Sequence, residues 1–548
     1  MVLRGILLTT LTATACSTVA LEEQTQPYSE PALQVSSCPA PALGKLNFRE
    51  PCQVRRGDNT LMITGDLLLP DGVMLNGRVL LNSQGVIQCV GCACAAGNAT
   101  RIDCPGAPIS PGLINAHDHI GWMGDAPYVP ADANLRYDHR HAWREGDSAL
   151  HKPKIKTKGN ATVAQKIWGE LRFVLGGATS TNASGVSKGL LRNLDRASGL
   201  EGLQIDPVQY ETFPLGDSNG VRHSSGCSYP HIVAEATVTG YHAYTPHVAE
   251  GITDAARNEL LCLDGTNVGG IDILGPNVAI IHGIGISTAD IDKIAAAGAK
   301  LIWSPRSNIS LYGDTALVTY YAARGVPIAL GTDWMPSGSM SLQRELRCAS
   351  FLNDTYYDKF FTARDLWAMV TTNAALALGV ADKLGSIAVA HTGDITIYAP
   401  WRGKKFEDPY RAVVEARPSD VALVLRGGKP LAGAANLVNA LEAGCDTLDV
   451  CGQSKRVCLK REVNKTLTQL QQDVGSSIYG LFYCDTPPHE PSCLPARGSQ
   501  EVVNHSTTYS GVVTPEDRDG DGIPNSQDNQ RHIFNPIRPV DNGVQPRL

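Results

Sequence analysis

The sequence predicts an α/β protein built around a (β/α)8 TIM barrel, with a two-part β-sandwich formed by the segments that flank the barrel. Two observations predict this fold. Between residues 111 and 378, short apolar strands alternate with amphipathic helices, and glycines mark the helix ends. Residues 46–110 and 379–435 instead alternate apolar and polar residues in short runs broken by turn residues, which is typical of half-buried strands. The two flanking segments are expected to pair with each other.

Three repeats of helix, glycine and apolar strand indicate the barrel. Residues 160–176, 287–298 and 315–325 have helical patterns, and each is followed by a short apolar strand such as 300–303 or 327–330. A barrel of eight such units needs about 250 residues, which the segment 111–378 provides. A further helix is predicted at 363–378, where the barrel ends.

Composition excludes several classes of function. The chain has 548 residues, 43% of them hydrophobic and 18% charged, and a net charge of −7. That balance provides no basic surface for nucleic acid and no polybasic segment for an anionic membrane. A small-molecule substrate is the expected partner, and the oligomeric state stays open.

The N-terminus is predicted to direct export to the bacterial periplasm or cell envelope. Residues 1–15 combine Arg4 with a short apolar stretch, as a signal peptide does. The segment ending in Cys16 resembles a lipobox, although its first position, Ala13, is usually leucine, so Cys16 is a candidate lipid anchor. Residues 16–45, rich in proline, serine, glutamate and glutamine, are expected to form a tether.

Fifteen cysteines agree with an exported protein, since fourteen remain without Cys16. They are expected to form disulfides in the peripheral domains, with a connectivity that the sequence leaves open. Zinc binding by Cys92 and Cys94 is the rival interpretation, but their spacing does not fit a zinc knuckle. Residues 436–510 form a cysteine-containing appendage with one predicted helix, at 462–474.

The C-terminal tail, residues 514–548, contains alternating carboxylates around glycine turns, which suit Ca²⁺. It lacks the closing glutamate of an EF-hand and resembles a thrombospondin type-3 calcium repeat over about twenty residues. The alternative is a solvated acidic spacer. The candidate calcium ligands are Asp517, Asp519, Asp521, Asn525 and Asp528.

Two histidines two residues apart follow an apolar run in the segment 109–119. Alternate residues of a strand face the same side, so His117 and His119 can converge on one metal ion, while Asp118 faces away. Alone, this pair is a weak signal.

Three later strand ends also carry polar groups. His247 ends an apolar strand and Glu250 follows three residues later; another strand ends in His282, and a third ends in Asp333. Catalytic groups of α/β barrels lie at the carboxyl ends of the strands, so these residues are expected to meet.

These motifs together resemble the amidohydrolase superfamily, in particular its cytosine-deaminase and triazine-hydrolase-like branch. The resemblance covers residues 46–430 and includes the segment Ser304-Pro-Arg-Ser-Asn308. It implies one Zn²⁺ or Fe²⁺ ion per chain and hydrolysis of a C–N bond other than a peptide bond, by a deaminase or an amidase. The implied metal ligands are His117, His119, His247 and Asp333.

The resemblance also implies the catalytic roles. Asp333 would accept the proton of the attacking water, Glu250 would carry a proton to the leaving nitrogen, and His282 would hydrogen-bond to the water or to the developing oxyanion. Substrate specificity is expected from the loops after the strands, at 120–143, 216–231, 304–313 and 334–341. Candidate pocket residues are Trp122, Tyr128, Arg140, Arg306 and Trp334.

Two alternatives remain. A binuclear dipeptidase or lactonase of the same superfamily would use Glu211 as the bridging ligand, because no lysine lies between Lys188 and Lys293 to provide a carboxylated-lysine bridge. A non-catalytic, calcium-binding surface protein would use the barrel only as a scaffold.

Overall fold

Two parallel sheets and one large mixed sheet organise the chain, whose computed structural model describes residues 33–41, 52–399, 408–498 and 505–548. The strands are β1 (Gln34–Ser37), β2 (Gln53–Arg55), β3 (Asp58–Leu69), β4 (Gly72–Leu81), β5 (Ile87–Val90), β6 (Ala99–Pro111), β7 (Leu113–Asn115), β8 (Ala178–Thr181), β9 (Arg192–Asn193), β10 (Gln209–Glu211), β11 (Tyr244–Val248), β12 (Ala279–His282), β13 (Lys300–Trp303), β14 (Ile328–Leu330), β15 (Ile395–Tyr398), β16 (Val421–Arg426), β17 (Lys429–Ala434), β18 (Asp446–Val450) and β19 (Gln453–Val457). The helices are α1 (Arg140–Glu145), α2 (Val163–Leu175), α3 (Glu235–Thr239), α4 (Asp254–Leu263), α5 (Thr288–Ala296), α6 (Pro305–Tyr312), α7 (Val318–Ala323), α8 (Leu342–Tyr356), α9 (Ala363–Ala368), α10 (Thr372–Ala377), α11 (Arg411–Val414), α12 (Ala435–Leu441), α13 (Leu459–Val463) and α14 (Leu467–Val474).

The parallel strands follow one another in barrel order. Strands β10 to β14 form one five-stranded parallel sheet, and β7 to β9 form a second sheet of three. Backbone hydrogen bonds of 3.0 Å join the two sheets at both ends, from Ala116 to Leu330 and from Val208 to Leu194. The fold is therefore TIM-barrel-like, but the strands form two sheets where one continuous closed sheet was expected.

The barrel helices begin where the sequence places their caps. Thr162 caps α2 and Ser287 caps α5, each with its side-chain oxygen on the third backbone amide of the helix. The predicted strand at 300–303 is β13 with the same bounds. The apolar residues of these short helices and strands pack against one another and form the hydrophobic core.

One eleven-stranded mixed sheet contains strands from both sides of the barrel. Strand β6, before the barrel, pairs antiparallel with β15, after it, in the register Ile395 to Pro111. The predicted pairing of the flanking segments is therefore present. The predicted two-part sandwich is not confirmed, because the strands are hydrogen-bonded as one sheet. Strands β18 and β19 extend that sheet, so the segment 436–510 is not wholly a separate appendage.

Two predicted helices are interrupted. The helix expected at 363–378 is divided into α9 and α10, because the carbonyls of Met369 and Val370 leave the helix and accept from the amides of strand residues Leu330 and Ile114. The helix expected at 462–474 is divided into α13 and α14 at Asn464, whose φ of 53° is left-handed.

Disulfides include every cysteine of the described residues. The pairs are Cys38–Cys92, Cys52–Cys104, Cys89–Cys94, Cys227–Cys262, Cys348–Cys493, Cys445–Cys458 and Cys451–Cys484. The disulfide prediction is confirmed, and zinc binding by Cys92 and Cys94 is wrong. The bonds are not confined to peripheral segments, since Cys348 lies on α8, which contacts the parallel strand β14.

The features predicted for the N-terminus lie largely outside the described residues. The predicted signal peptide, 1–15, and Cys16 lie outside them. The predicted tether, 16–45, is wrong at its end, because β1 pairs with β4 and Cys38 is bonded to Cys92. In the described part of the chain, no helix has both the length and the apolar character required to span a bilayer.

Candidate active site

Four histidines meet at the carboxyl ends of the parallel strands. His117 and His119 follow β7, His247 lies near the end of β11, and His282 ends β12. The ring centroids of His117 and His247 are 4.8 Å apart, and those of His117 and His282 are 5.3 Å apart. The predicted convergence of these side chains is therefore observed, although His117 and His119 lie just beyond their strand.

The ring nitrogens of His247 have separate tasks. Its Nδ1 donates a 3.0 Å hydrogen bond to the backbone carbonyl of Glu211. Its Nε2 therefore carries the lone pair, and this buried atom has no hydrogen-bond partner. Nε2 of His117 is likewise buried without a hydrogen-bond partner. Two unpartnered imidazole nitrogens facing one point are the donor set that a zinc-type metal ion requires.

Asp333 completes this donor set. Its Oδ1 lies 3.2 Å from Nε2 of His117 and 3.4 Å from Nε2 of His119, while its Oδ2 accepts a 2.6 Å hydrogen bond from Ser307. Ligand atoms lie within 4.8 Å of one another in two groups, His117, His119 and His247, and His117, His282 and Asp333. The three histidines and the aspartate named from the sequence thus form a candidate metal site.

The backbone at this site is strained. Asp333 has a φ of 56° and His282 a φ of 73°, both in the left-handed region. The left-handed conformation is energetically unfavourable for residues other than glycine, and such residues keep it only where the surrounding structure imposes it. The strain supports a functional role for both positions.

Glu250 and His282 form a second pair beside the candidate metal ligands. Oε2 of Glu250 lies 3.6 Å from Nε2 of His282, and Oε1 accepts a 2.7 Å hydrogen bond from the hydroxyl of Tyr312. Nδ1 of His282 lies 3.0 Å from Oδ1 of Asn308. Because an amide oxygen only accepts, the proton is on Nδ1 and Nε2 of His282 presents a lone pair to the site. Glu250 lies in the loop before α4.

Burial determines the charges of this cluster. Desolvation and the charge of His117 lower the pKa of His119 to about 3, so this ligand is neutral. Desolvation also lowers the pKa of His247. For Glu250, desolvation and the charge of Asp333 raise the pKa, while His282 opposes that shift. Neutral imidazoles can bind a metal ion, and a carboxyl group with a raised pKa can hold a proton at neutral pH.

The carboxylate of Glu211 is not grouped with the candidate metal ligands. Its Oε1 accepts a 3.0 Å hydrogen bond from the backbone amide of Phe213, in its own loop. Among the described residues, its carboxylate belongs to neither group of clustered ligand atoms. Its contribution to the site is the backbone carbonyl that orients His247.

The predicted pocket residues divide into two kinds. Trp122 packs 5.4 Å from the ring of His119 and 6.0 Å from Trp334, so these two indoles form one wall beside the metal site. Arg140 is instead buried in ion pairs with Asp217 and Glu259, and Arg306 bonds to Ser339 and to carbonyls. Tyr128 is half-buried beside the same aromatic wall. The two arginines are structural.

The acidic residues of the tail also cluster. Ligand oxygens of Asp517, Asp519 and Asp521 lie within 4.8 Å of one another. Asp519 and Asp521 are fully buried, Asp528 is 8% exposed, and Oδ2 of both Asp519 and Asp528 has no hydrogen-bond partner. Asn525 differs, because its amide accepts from the backbone of Arg518 and donates to that of Pro515.

Sequence reasoning missed two tyrosines. The hydroxyl of Tyr210 lies 3.1 Å from Nδ1 of His117, and Tyr312 holds Glu250. Tyr312 lies at the end of a loop already assigned to specificity. Tyr210 precedes Glu211 on β10, and no spacing in the sequence marks its contact with a histidine 93 residues earlier.

Comparisons with known proteins find similarity to the amidohydrolase family and to deaminases. The Amidohydrolase family model matches residues 235–431. The 5'-deoxyadenosine deaminase of Methanothermobacter thermautotrophicus is 25% identical over 420 residues, which are 68% of this chain and 93% of that protein. The 5-methylthioadenosine/S-adenosylhomocysteine deaminase of Syntrophobacter fumaroxidans is 25% identical over 414 residues, 66% of this chain and 90% of that protein.

Solved structures agree in fold. A triazine hydrolase variant superposes with a TM-score of 0.53 at 17% identity, over 76% of this chain and 100% of its own. Atrazine chlorohydrolase from Arthrobacter aurescens TC1, complexed with zinc, gives a TM-score of 0.50 at 19% identity, over 75% and 100%. The match to the Amidohydrolase family model over residues 235–431 and the similarity to deaminases support that the chain is an enzyme.

Proposed function

We propose that this enzyme is a metal-dependent hydrolase that removes an amino group from a heteroaromatic ring. One observation carries the proposal: the buried, unpartnered Nε2 atoms of His117 and His247 face Asp333, beside the Glu250–His282 pair. Amide hydrolysis would use the same groups. The relatives, a 5'-deoxyadenosine deaminase and a 5-methylthioadenosine/S-adenosylhomocysteine deaminase, favour deamination.

His117, His119, His247 and Asp333 would hold one Zn²⁺ or Fe²⁺ ion. Three imidazoles and one carboxylate suit either metal, and they leave a position for water. When bound, such an ion supplies a lowered pKa for coordinated water, about 7 in place of 15.7. Zinc is favoured because the structural neighbour with the shared fold contains it.

The side chains of the chain supply the proton transfers. Asp333 accepts a proton from the attacking water, and Ser307 holds the other oxygen of that carboxylate in place. His282 accepts a hydrogen bond from the same water at Nε2, because Asn308 keeps the proton on Nδ1. Glu250 donates its proton to the leaving nitrogen, a task that its raised pKa favours.

The reaction balances as a hydrolysis. Water adds to the ring carbon that carries the amino group, the C–N bond breaks, and the products are the hydroxylated ring and ammonia. No oxidant, reductant or nucleotide is consumed. The indoles of Trp122 and Trp334 would form an apolar wall against which a flat ring can pack.

The first experiment measures metal content and ammonia release together. Full-length protein made in an oxidising compartment is analysed for zinc and iron, then assayed with adenosine-type nucleosides, aminopyrimidines, aminotriazines and N-acyl amino acids. We expect about one zinc or iron ion per chain and ammonia from an amino-substituted ring. His117→Ala is expected to lose both.

Other outcomes contradict parts of the proposal. Two transition-metal ions per chain, with hydrolysis of dipeptides or lactones, would favour the binuclear alternative with Glu211. Release of a carboxylate from N-acyl compounds, without ammonia from any ring, would make the enzyme an amidase. A chain that binds no transition metal after reconstitution would overturn the proposal. The family match and the deaminase relatives support an enzyme and disfavour the non-catalytic alternative.

We also propose a calcium site in the tail, held by Asp517, Asp519, Asp521 and Asp528. The support is the burial of this cluster, in which Oδ2 of Asp519 and Oδ2 of Asp528 lack a hydrogen-bond partner. Desolvation and the charges of Asp521 and Asp528 raise the pKa of Asp519 to about 9. A divalent cation would relieve this repulsion. Asn525 is left out as a side-chain ligand because its amide is already hydrogen-bonded.

Thermal unfolding tests the calcium site separately. In wild-type protein with its zinc retained, added calcium is expected to raise the melting temperature, with the increase growing with the calcium concentration. The variant Asp519→Asn should lose that response, whereas Asp485→Asn, in an exposed loop outside the cluster, should keep it. Equal responses of wild type and Asp519→Asn would contradict the site.

Export is also proposed. Seven disulfides among the described residues support folding in an oxidising compartment such as the bacterial periplasm or cell envelope. Mass spectrometry of the mature protein from a bacterial host would distinguish a lipid on Cys16 from cleavage without lipid. A mature chain that keeps residues 1–15 and remains in the cytoplasm would contradict export.

A further inference from the structure

Tyr210, on β10, contacts two of the proposed metal ligands, His117 and His119, which follow β7. It lies in the middle of β10, and its hydroxyl is 3.1 Å from Nδ1 of His117 and 3.3 Å from the backbone carbonyl of Asp118. The same hydroxyl is 3.4 Å from Nδ1 of His119. The phenol and the ring of His117 are nearly parallel, with centroids 5.8 Å apart.

The hydroxyl has only one proton for these contacts. The carbonyl of Asp118 can only accept, so a proton directed to it leaves the lone pairs of Tyr210 to accept from the Nδ1–H of His117. That arrangement gives a hydrogen-bond partner to the phenol, to the Asp118 carbonyl and to Nδ1 of His117. The opposite direction, with the phenol donating to Nδ1, would leave the Asp118 carbonyl without this donor.

The position of the proton decides what Nε2 can do. With the proton on Nδ1, the lone pair is on Nε2, the buried atom of His117 that lacks a hydrogen-bond partner and faces Asp333. With the proton on Nε2, the ring could not ligate a metal there. A metal-binding histidine usually donates its other N–H to an oxygen, which fixes both tautomer and ring orientation. His247 does this through the carbonyl of Glu211.

We propose that Tyr210 is a positioning residue that selects the Nδ1–H tautomer of His117 and thereby sets the affinity of the site for its metal. The inference rests on the proposed function, since it requires His117 to be a ligand. Tyr210 differs from the proposed ligands because it would act on the metal only through the histidines that it contacts, with its shortest contact to His117. Loss of the Tyr210 hydroxyl should therefore weaken metal binding more directly than it changes the rate of the metal-loaded enzyme.

The test is zinc affinity of full-length protein, measured by competition with a chromophoric chelator. Tyr210→Phe keeps the ring and removes the hydroxyl, and we expect zinc to bind about 10–100-fold more weakly. Tyr398→Phe is the matched control, because it removes another buried hydroxyl, one without a hydrogen-bond partner on β15. The control should bind zinc as the wild type does.

Two spectroscopic measurements separate positioning from a general loss of structure. The visible spectrum of cobalt-substituted Tyr210→Phe should differ from that of wild type, while the melting temperature of the metal-free protein stays the same. In wild-type protein, the ¹⁵N chemical shift of Nδ1 of His117 should be that of a protonated nitrogen. This second measurement serves even where the variant fails to fold.

The outcomes also separate this inference from the proposed function. Wild-type protein that binds one zinc ion, with equal affinity in Tyr210→Phe, would overturn the role of Tyr210 and leave the hydrolase intact. A deprotonated Nδ1 in the zinc-loaded wild type would overturn it as well. Wild-type protein that binds no transition metal would overturn both.

Discussion

The hydroxyl of Tyr312 donates a 2.7 Å hydrogen bond to Oε1 of Glu250. The indole N–H of Trp143 donates in turn to that hydroxyl, at 2.8 Å. Trp143 lies on α1 and Tyr312 ends α6, so two helices that are distant in sequence hold one carboxyl group. This carboxyl is the proposed proton donor to the leaving nitrogen.

Removing that hydroxyl should slow the chemical step. In Tyr312→Phe, the carboxyl group of Glu250 loses the hydrogen bond from the Tyr312 hydroxyl. A hydrogen bond to an ionisable group contributes about 1.5–3 kcal/mol, which is equivalent to about 10–100-fold in rate. We expect kcat to fall within that range with little change in KM, measured by ammonia release. Unchanged kcat would show that Tyr312 does not orient Glu250, and Tyr398→Phe controls for loss of a buried hydroxyl.

Asn308→Ala should separate catalysis from metal binding. Asn308 fixes the proton of His282 on Nδ1, so its loss frees the imidazole to turn or to adopt the other tautomer. We expect kcat to fall by about 10-fold, the lower end of the effect of such hydrogen bonds. Elemental analysis should still find one metal ion per chain. Loss of the ion in this variant would instead assign His282 to the metal-ligand set.

The disulfide between Cys348 and Cys493 should stabilise the chain more than the one between Cys89 and Cys94. The first closes a separation of 145 residues and joins α8 to the C-terminal region, whereas the second closes only 5. A longer loop loses more entropy in the unfolded state, and removal of a native disulfide costs about 2–5 kcal/mol.

Paired double serine variants measure that difference. Cys348→Ser with Cys493→Ser should lower the melting temperature more than Cys89→Ser with Cys94→Ser. Each variant is compared under oxidising conditions with its zinc content recorded. Equal decreases would indicate that loop closure does not determine the contribution of these bonds.

The burial of Lys455 predicts that its contribution to the free energy of unfolding rises with pH. This residue of β19 is 2% exposed, and burial lowers its pKa to about 7, while its amine donates to the carbonyls of Pro418 and Val421. The unfolded lysine titrates near 10.5, so between pH 7 and 10.5 the unfolded chain binds more protons than the folded chain. The contribution of this group to folding stability therefore increases with pH across that window.

Lys455→Met provides the comparison. The difference in melting temperature between wild type and Lys455→Met should change in favour of the wild type as the pH rises from 7 to 10. Lys188→Met, at an exposed position, is the control and should show no such trend. A constant difference between wild type and Lys455→Met would show that the buried amine stays protonated.

Several features of the site follow from short-range patterns and were predictable. His117, His119, His247, His282 and Asp333 each end or follow an apolar run, and parallel strands bring their carboxyl ends to the same side of a barrel. The even number of cysteines beyond Cys16 likewise predicted disulfides. These patterns depend on residues within a few positions of one another.

Contacts between distant segments were not predictable in this way. The helix expected at 363–378 is interrupted because amides of two strands donate hydrogen bonds to the carbonyls of Met369 and Val370. Local helix propensity does not predict these hydrogen bonds to distant strands. The disulfide partners and the division of the parallel strands into two sheets also depend on packing over long separations.

The sequence by itself determined which chemical groups this protein brings to its strand ends, because residue type and strand periodicity are local. Only the tertiary structure decided how those groups are oriented. Tyr210 reaches His117 from 93 residues away, and Tyr312 reaches Glu250 from 62. Hydrogen bonds act over about 3 Å in space and are independent of separation along the chain, so the partners that fix each tautomer and carboxylate become visible only in the folded molecule.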